Sequence, residues 1–312
     1  IGSKARSDHA TFVATHSSQV LRGILDTNRK VTVIRLRQSE GQFHAKLLQG
    51  DNIKKLQNPR RRAESVLDGI FSKAVILVES EGDREVYRAA LESIPDYPSR
   101  EVHIVPVGGT GGFLEPLQFF RSLDIPVAII ADLDLICDQS KLKPIIESAA
   151  SDPEDLIQKV TKLSQRLMAL HPLMTAEEAQ RRLKELSESF GQWSGGEDNV
   201  LRRKLKELES ELKRTVRLKN GGISSYSDNK DICDEMQDVV NQCQAMGVFF
   251  VPVGELEGWL EKQRSGIPFS GNKIERAASM AKLIRTTEGK TGDVWDFVKM
   301  VLDQLHMASL KA

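Results

Sequence analysis

Acidic side chains follow two apolar, β-rich runs of the sequence. Glu79 and Asp83 come after the first run, and Asp132 and Asp134 come after the second. Buried parallel strands are near-continuous Val, Ile and Leu runs, and α/β proteins place their chemistry beyond the carboxyl ends of such strands. If the two strands are neighbours, the four carboxylates share one crevice, and so much negative charge needs cations to balance it. The pattern therefore predicts a metal site.

A third apolar run, at 248–253, also leads into acids. Glu255 and Glu257 follow it, and we expect them to close the site from a third strand end. Lys273 is the candidate non-metal cation, because a lysine at a helix start opposes the helix dipole unless it faces an anion. It would neutralise charge on a phosphate, as a preorganised donor does for an oxyanion. Acids at strand ends also cap helices, so a capping role stays open for Asp83 and for Glu255.

The chemistry of this cluster follows from its oxygen donors. Mg²⁺ and Mn²⁺ prefer carboxylate and water oxygens. Two such ions about 4 Å apart activate a water and stabilise the leaving oxygen of a phosphodiester. Because Asp132 and Asp134 are one residue apart, an extended backbone would point both to one face. We predict Glu79, Asp132 and Lys273 as catalytic residues. The predicted ligands of the two ions are the strand-end acids Glu79, Asp83, Asp132, Asp134, Glu255 and Glu257.

The elements that must position these acids alternate in type. Residues 73–137 predict strand, helix, strand, glycine-rich turn, helix and strand, which is a parallel βαβ pattern. Residues 151–245 predict helices, and the break at 191–196 favours an antiparallel helical hairpin. The strand pattern returns only at 248–260, and a helix follows from about Lys273. The predicted fold is α/β, a parallel sheet with flanking helices that an all-α insertion interrupts.

The N-terminal part of the chain has its own pattern. Residues 10–50 predict a strand, a helix and two further strands, and a polar, basic linker follows. The predicted division is an N-terminal piece with its linker at 1–70, an α/β domain at 71–140 and 246–312, and a helical insertion at 141–245.

Five segments resemble, in order and spacing, the Toprim domain of OLD-family nucleases. They are LVESEGDREVY (77–87), VGGTGG (107–112), ADLD (131–134), GELEGWL (254–260) and GNKIERA (271–277). The resemblance covers roughly residues 70–285, and the insertion after the D-x-D pair is similar to the second class of that family. Ser80 and Glu81 stand where the family usually has Gly-Glu. The resemblance implies a Toprim-like fold, metal-dependent DNA cleavage and a setting in antiphage defence.

The segment ATHSSQVL at 14–21 resembles the switch-histidine loop of ABC-type ATPases, which OLD-family proteins carry ahead of the Toprim domain. In those ATPases the histidine, here His16, approaches the γ-phosphate. The sequence has no G-x-x-x-x-G-K-[ST] phosphate loop, and no predicted strand leads into Gly289-Lys290-Thr291. We therefore expect no ATP hydrolysis from this chain alone and interpret 1–70 as the remnant of an ATPase domain. The resemblance implies a homo-oligomer assembled through the ATPase region of the full protein.

Composition excludes several classes of protein. Lys+Arg and Asp+Glu balance at 44 each, so DNA binding must come from local basic patches. The candidates for DNA contacts are Arg60, Arg61, Arg62, Arg202 and Arg203. Three cysteines without zinc-ligand spacing predict a reduced, cytoplasmic setting. No apolar run approaches the roughly 20 residues that span a bilayer, so we expect no membrane partner.

The expected function is that of a DNA endonuclease that hydrolyses phosphodiesters with two Mg²⁺ or Mn²⁺ ions. Another Toprim chemistry stays open, although no tyrosine has the context of a topoisomerase nucleophile and no nucleotide-selecting module of a primase is visible. A non-catalytic dimerisation and DNA-tethering segment of an SMC-like ATPase, built on the helical hairpin, is the second alternative. A tether does not require carboxylates at three strand ends, so the acids separate the two classes.

Overall fold

The computed structural model describes residues 11–27, 31–39, 41–48, 64–95, 99, 101–170, 176–190, 216–261 and 271–311. The chain divides into two compact units. The first unit takes in Ile1–Ala131, Cys243–Phe249 and Leu260–Ala312, and the second takes in Asp132–Gln242 and Phe250–Trp259. The domain boundaries predicted from the sequence stay a prediction.

The strands form two sheets. The strands are β1 (Val33–Ser39), β2 (Gln42–Leu48), β3 (Ala74–Val78), β4 (Val102–Pro106), β5 (Val127–Ala131) and β6 (Val248–Phe250). Strands β1 and β2 make an antiparallel hairpin, and the other four form a sheet in the order β4-β3-β5-β6. Strand β3 pairs in parallel with β4 and with β5. The predicted α/β fold with a parallel sheet is confirmed.

Helices account for most of the remaining described residues. The helices are α1 (Ser18–Thr27), α2 (Glu64–Gly69), α3 (Glu81–Ser93), α4 (Leu114–Ser122), α5 (Gln139–Ala149), α6 (Glu154–Leu170), α7 (Ala176–Phe190), α8 (Val216–Gly221), α9 (Lys230–Ala245), α10 (Lys273–Thr286) and α11 (Asp293–Lys311). Within the part of the chain that is described, no helix combines the length and apolarity that crossing a bilayer requires.

The core of the first unit is built around β3 and β5. Every residue of both strands is buried, as their sequences AVILV and VAIIA require of a sheet with both faces covered. Leu77 pairs with Ile129, so the two strands run side by side to the same edge of the sheet. Helix α3 packs closely on α10, since a Cβ placed at Gly82 would lie 3.1 Å from Cβ of Ala277. This packing of strand and helix places the turn after β3 at the carboxyl edge of the sheet.

The strand predicted as the first element of 10–50 is wrong for the residues that are described, because 11–17 have no regular secondary structure. Phe12 is 90% exposed, so its apolar side chain is not buried as a strand in a packed sheet would require. The helix and the two strands that follow are present. Arg35 connects the β1–β2 hairpin to the segment before β3. Its Nε donates a hydrogen bond to the carbonyl of Ile70 and its Nη2 donates one to the carbonyl of Ser72, both at 2.9 Å.

The second unit is largely helical. Helix α6 buries its apolar face, with Leu156, Val160 and Leu163 inside, and packs on the turn that follows β5. Arg166 of α6 forms an ion pair with Glu235 of α9. The predicted hairpin break at 191–196 lies outside the described residues.

The C-terminal region differs from its prediction in two ways. Strand β6 has three residues and not the longer run predicted at 248–260, because the chain turns at Pro252 and at Gly254, whose φ is +100°. One helix was predicted from Lys273, but two form, α10 and α11. Gly289 and Gly292, with φ of +66° and +73°, interrupt the helical path between them.

Candidate metal centre

The turn after β3 holds Glu79 and Asp83. Ser80 is the N-cap of α3, and Asp83 completes a capping box with it. The Asp83 Oδ2 accepts hydrogen bonds from Ser80 N at 2.8 Å and from Ser80 Oγ at 2.6 Å. The backbone carbonyl of Glu79 accepts a hydrogen bond from Gly109 N at 2.8 Å. Glu79 is half-buried. Asp83 therefore caps the helix α3, which is the alternative role that the sequence analysis left open for it.

The turn after β5 has a different geometry. Asp132 directly follows the strand, and Asp134 lies in a 3₁₀ turn at Leu133–Cys137. The extended backbone predicted for this pair is therefore wrong. Leu133 and Leu135 of the turn are fully buried, and Leu133 N donates to the carbonyl of Gly254 at 2.9 Å. The two leucines point into the core, and the two acids of the turn stay partly exposed.

A lysine that the sequence analysis did not select lies among these acids. The Nζ of Lys219 is 3.3 Å from Asp134 Oδ2, 3.9 Å from Asp132 Oδ2 and 3.9 Å from Glu255 Oε2. The three acid side chains are 19% to 28% exposed, and that of Lys219 is 30% exposed. We call Asp132, Asp134, Glu255 and Lys219 the acid–lysine cluster. All four residues belong to the second unit.

Two glycines bring the segments of this cluster together. A Cβ at Gly254 would lie 2.1 Å from the carbonyl oxygen of Lys219, and one at Gly222 would lie 2.0 Å from that of Pro252. Both residues have positive φ, +100° and +57°, which glycine adopts without strain. Ile223 N also donates to the carbonyl of Pro252 at 3.0 Å. The short helix α8 and the turn before Glu255 can touch only because no side chain separates their backbones.

The charges of the cluster partly balance. Burial lowers the pKa of Lys219, but the carboxylates of Asp134, Asp132 and Glu255 together outweigh it and raise the pKa above its ordinary value. The lysine therefore stays cationic. Three carboxylates and one ammonium leave a formal charge of −2. Nearby, burial and the charge of Asp134 raise the pKa of the Cys137 thiol to about 12.

The carboxylate oxygens of the cluster are the type of ligand that a hard divalent ion prefers. Their distances from the centre of the cluster, however, match an ammonium group. Carboxylate oxygens bind Mg²⁺ at about 2.1 Å, whereas here they stand 3.3 to 3.9 Å from a nitrogen at their centre. Within the described ranges, no three His, Cys, Asp or Glu side chains are arranged to hold a metal ion. In this structure the three carboxylates surround the ammonium of Lys219.

The remaining predicted site residues are placed as follows. Glu257 is half-buried in a 3₁₀ turn at Leu256–Gly258, in the second unit. Lys273 is the exposed first residue of α10, in the first unit with Glu79 and Asp83. Convergence of Glu79, Lys273 and Glu257 with the acid–lysine cluster therefore stays a prediction.

The other predicted residues are His16 and the candidates for DNA contacts. His16 is exposed, one residue before Ser17, whose Oγ accepts from Val20 N at 3.4 Å at the start of α1. The DNA-contact candidates Arg60, Arg61, Arg62, Arg202 and Arg203 lie outside the described residues.

One signal in the sequence points towards Lys219. Gly221 and Gly222 interrupt a stretch that otherwise predicts helix, and paired glycines mark turns or close backbone approach. A lysine two residues ahead of such a pair is a candidate for a site. Its partners, however, lie about 85 residues before it and 36 after it, and no periodicity connects positions so far apart.

Known proteins match part of the chain. The family described as "Overcoming lysogenization defect protein-like, TOPRIM domain" matches residues 70–134, a range that begins just before β3 and ends at Asp134. No curated protein sequence matches. Among solved structures, the C-terminal region of the Burkholderia pseudomallei OLD protein is 14% identical over 77% of this chain and 99% of that one, with a TM-score of 0.33.

Proposed function

We propose that this chain, which carries an OLD-like Toprim domain at residues 70–134, is a divalent-metal-dependent DNA endonuclease. Toprim domains generally bind divalent metal ions, and nuclease activity is compatible with this family. The observation that carries the proposal is the gathering of Asp132 and Asp134, which follow β5, and Glu255, which follows β6, around one cationic group. Carboxylates collected around a cation at the carboxyl end of a buried strand are what a metal-dependent phosphodiesterase needs.

In this proposal the three acids of the cluster hold a divalent ion. When bound, such an ion polarises the phosphodiester and provides a nucleophilic water at neutral pH. The chain contributes position and environment. The hydrogen bond from Leu133 N to Gly254 fixes the turn that carries Asp132 and Asp134 against the segment that carries Glu255. Partial burial strengthens the field of these carboxylates, because less water screens them.

The finer parts of the proposal come from the sequence. We assign Mg²⁺ or Mn²⁺, two ions, with Glu79 and Glu257 as further ligands and Lys273 opposite the phosphate charge. DNA is the proposed substrate and partner. The histidine loop around His16 supports coupling to an ATPase and oligomerisation through it in the full protein, with antiphage defence as the setting.

Plasmid cleavage tests the proposed activity. We expect nicking or linearisation with Mg²⁺ or Mn²⁺, none with EDTA, and a loss of at least roughly 100-fold in Asp132→Ala, more than the removal of an outer-shell group usually costs. Asp138→Ala is the matched control, since Asp138 is a nearby acid that pairs locally with Lys141 at 2.7 Å and Ser140 at 2.6 Å. It should cut like the wild type.

The same assay separates the alternatives. Undiminished cutting by Asp132→Ala would remove that residue from the mechanism. A chain that retards DNA in a gel but cuts it under no metal condition would be the DNA-tethering segment and not a nuclease.

A further inference from the structure

The ammonium of Lys219 lies among the three carboxylates that are proposed above as metal ligands. It stands within 3.9 Å of all three carboxylates of the acid–lysine cluster. We propose that Lys219 is a built-in competitor of the divalent ion, which holds the carboxylates together while no metal is bound and must leave before a metal binds. This inference rests on the proposed function and adds a regulatory step to it.

The distances make joint occupancy unfavourable. Inner-sphere ligation requires the oxygens to close from 3.3–3.9 Å around the nitrogen to about 2.1 Å around a metal. The space through which they would close is filled by Nζ. A retained ammonium would also lie within about 4 Å of a doubly charged ion, where like charges in a half-buried setting repel strongly.

The side chain of Lys219 can leave while its backbone stays. The contacts of Gly254 with the carbonyls of Leu218 and Lys219 fix the main chain of this segment. The four-carbon stem of a lysine is flexible, and its compact charge is well hydrated. The side chain of Lys219 is 30% exposed, so part of it already contacts solvent.

Competition predicts a specific change in metal affinity. In Lys219→Met the three carboxylates lose the cation that competes with the metal, so Mn²⁺ should bind at least about 10-fold more tightly than in the wild type. Without metal this variant should melt at a lower temperature, because three like charges are left close together. Mn²⁺ should then raise its melting temperature by more than it raises that of the wild type.

Isothermal titration with Mn²⁺, together with thermal melting in EDTA and in Mn²⁺, measures both effects. Lys162→Met is the matched control: Lys162 lies in the same unit, is 73% exposed and pairs with Glu235 at 3.9 Å. It should bind Mn²⁺ like the wild type. Adding Asp134→Asn to Lys219→Met should abolish the gain.

Each result separates this inference from the proposed function. Equal or weaker Mn²⁺ binding by Lys219→Met overturns the competition while leaving the metal site intact. Absence of Mn²⁺ binding in both the wild type and Lys219→Met overturns the proposed function, and the competition with it.

A measurement on the wild type covers the case in which the variant fails to fold. Amine acylation read by mass spectrometry should modify Lys219 faster in Mn²⁺ than in EDTA, because the displaced ammonium is more accessible, while Lys162 should not change. Unchanged acylation of Lys219 at saturating Mn²⁺ would show that the lysine stays in place and would overturn the inference.

Discussion

The two acidic turns of this protein look alike in sequence and differ in structure. Each follows a fully buried strand, β3 or β5, and each carries acids within a few residues of the strand end. In the first turn Asp83 is bonded locally to Ser80, three residues away. In the second turn Asp132 and Asp134 face Lys219, which is 85 residues beyond Asp134.

The neighbours of the acids explain this difference. The first turn supplies a serine at the N-cap position, so Asp83 reaches a partner on its own turn and stabilises the start of α3. The second turn supplies Leu133 and Leu135, which are buried. Its acids therefore depend on distant segments for their counter-charge. A strand-end acid is more informative about function where its immediate neighbours cannot cap it.

The largest expected effect comes from breaking the contact that assembles the second turn. Gly254→Ala would place a Cβ 2.1 Å from the carbonyl of Lys219 at a φ of +100°, so it should cost more than about 3 kcal/mol of stability. Gly108→Ala, in the open turn after β4, has a φ of +79° with no atom within 4 Å. It should cost only about 1 to 2 kcal/mol.

Urea unfolding of the two glycine variants measures these costs. If Gly254→Ala is no more destabilising than Gly108→Ala, the close backbone approach that positions Lys219 is absent.

The second prediction compares the stability effects of changing the capping residue Asp83 and the cluster residue Asp132. Asp83→Ala removes half of a capping box and should lower stability by about 1 kcal/mol. Asp132→Asn removes one of three like charges around Lys219, so in EDTA it should change stability by less than about 0.5 kcal/mol. Thermal melting shows both effects, and only Asp132→Asn should remove the added stability in Mn²⁺. Metal-induced stabilisation lost in Asp83→Ala instead would place the metal at the first turn.

The fold was largely predictable because burial leaves a clear pattern. The runs that became β3 and β5 are continuous Val, Ile, Leu and Ala with no polar residue, and the βαβ order follows from their spacing. The predictions that were wrong concern one exposed segment and the end of one strand. The start of 10–50 is apolar enough to predict a strand, but its Phe12 is 90% exposed. The early end of β6 depends on a glycine turn at Gly254, which the apolar run before it does not indicate.

The site was predictable only in its acids. Asp132, Asp134 and Glu255 could be selected because a charged residue beside a buried strand requires a reason. Lys219 could not be selected in the same way, since many lysines of this chain lie on helices. Its position depends on contacts of Gly222 and Gly254 with backbone far away in sequence.

The smallest expected effect is on cysteine reactivity. Burial and the Asp134 carboxylate raise the pKa of Cys137 to about 12, and burial alone raises that of Cys243 to about 12. At pH 8 both thiols should be protonated and alkylate much more slowly than in the unfolded chain. Asp134→Asn removes a negative charge, lowers the pKa of Cys137 and should speed its alkylation by less than about 10-fold.

Alkylation by iodoacetamide, followed by mass spectrometry, gives these rates, and Cys243 is the internal control. An Asp134→Asn variant that speeds both cysteines equally would indicate general loosening and not the loss of a local charge.

The central claim is that the turn after β5 is a cation site, held by Lys219 until a metal replaces it. Anomalous diffraction from a crystal soaked in Mn²⁺ tests it most directly. We expect a manganese peak about 2.1 to 2.2 Å from oxygens of Asp132 and Asp134, with the Lys219 ammonium moved away. Density that keeps Lys219 between the carboxylates, with no manganese beside them at saturating concentration, would contradict the claim.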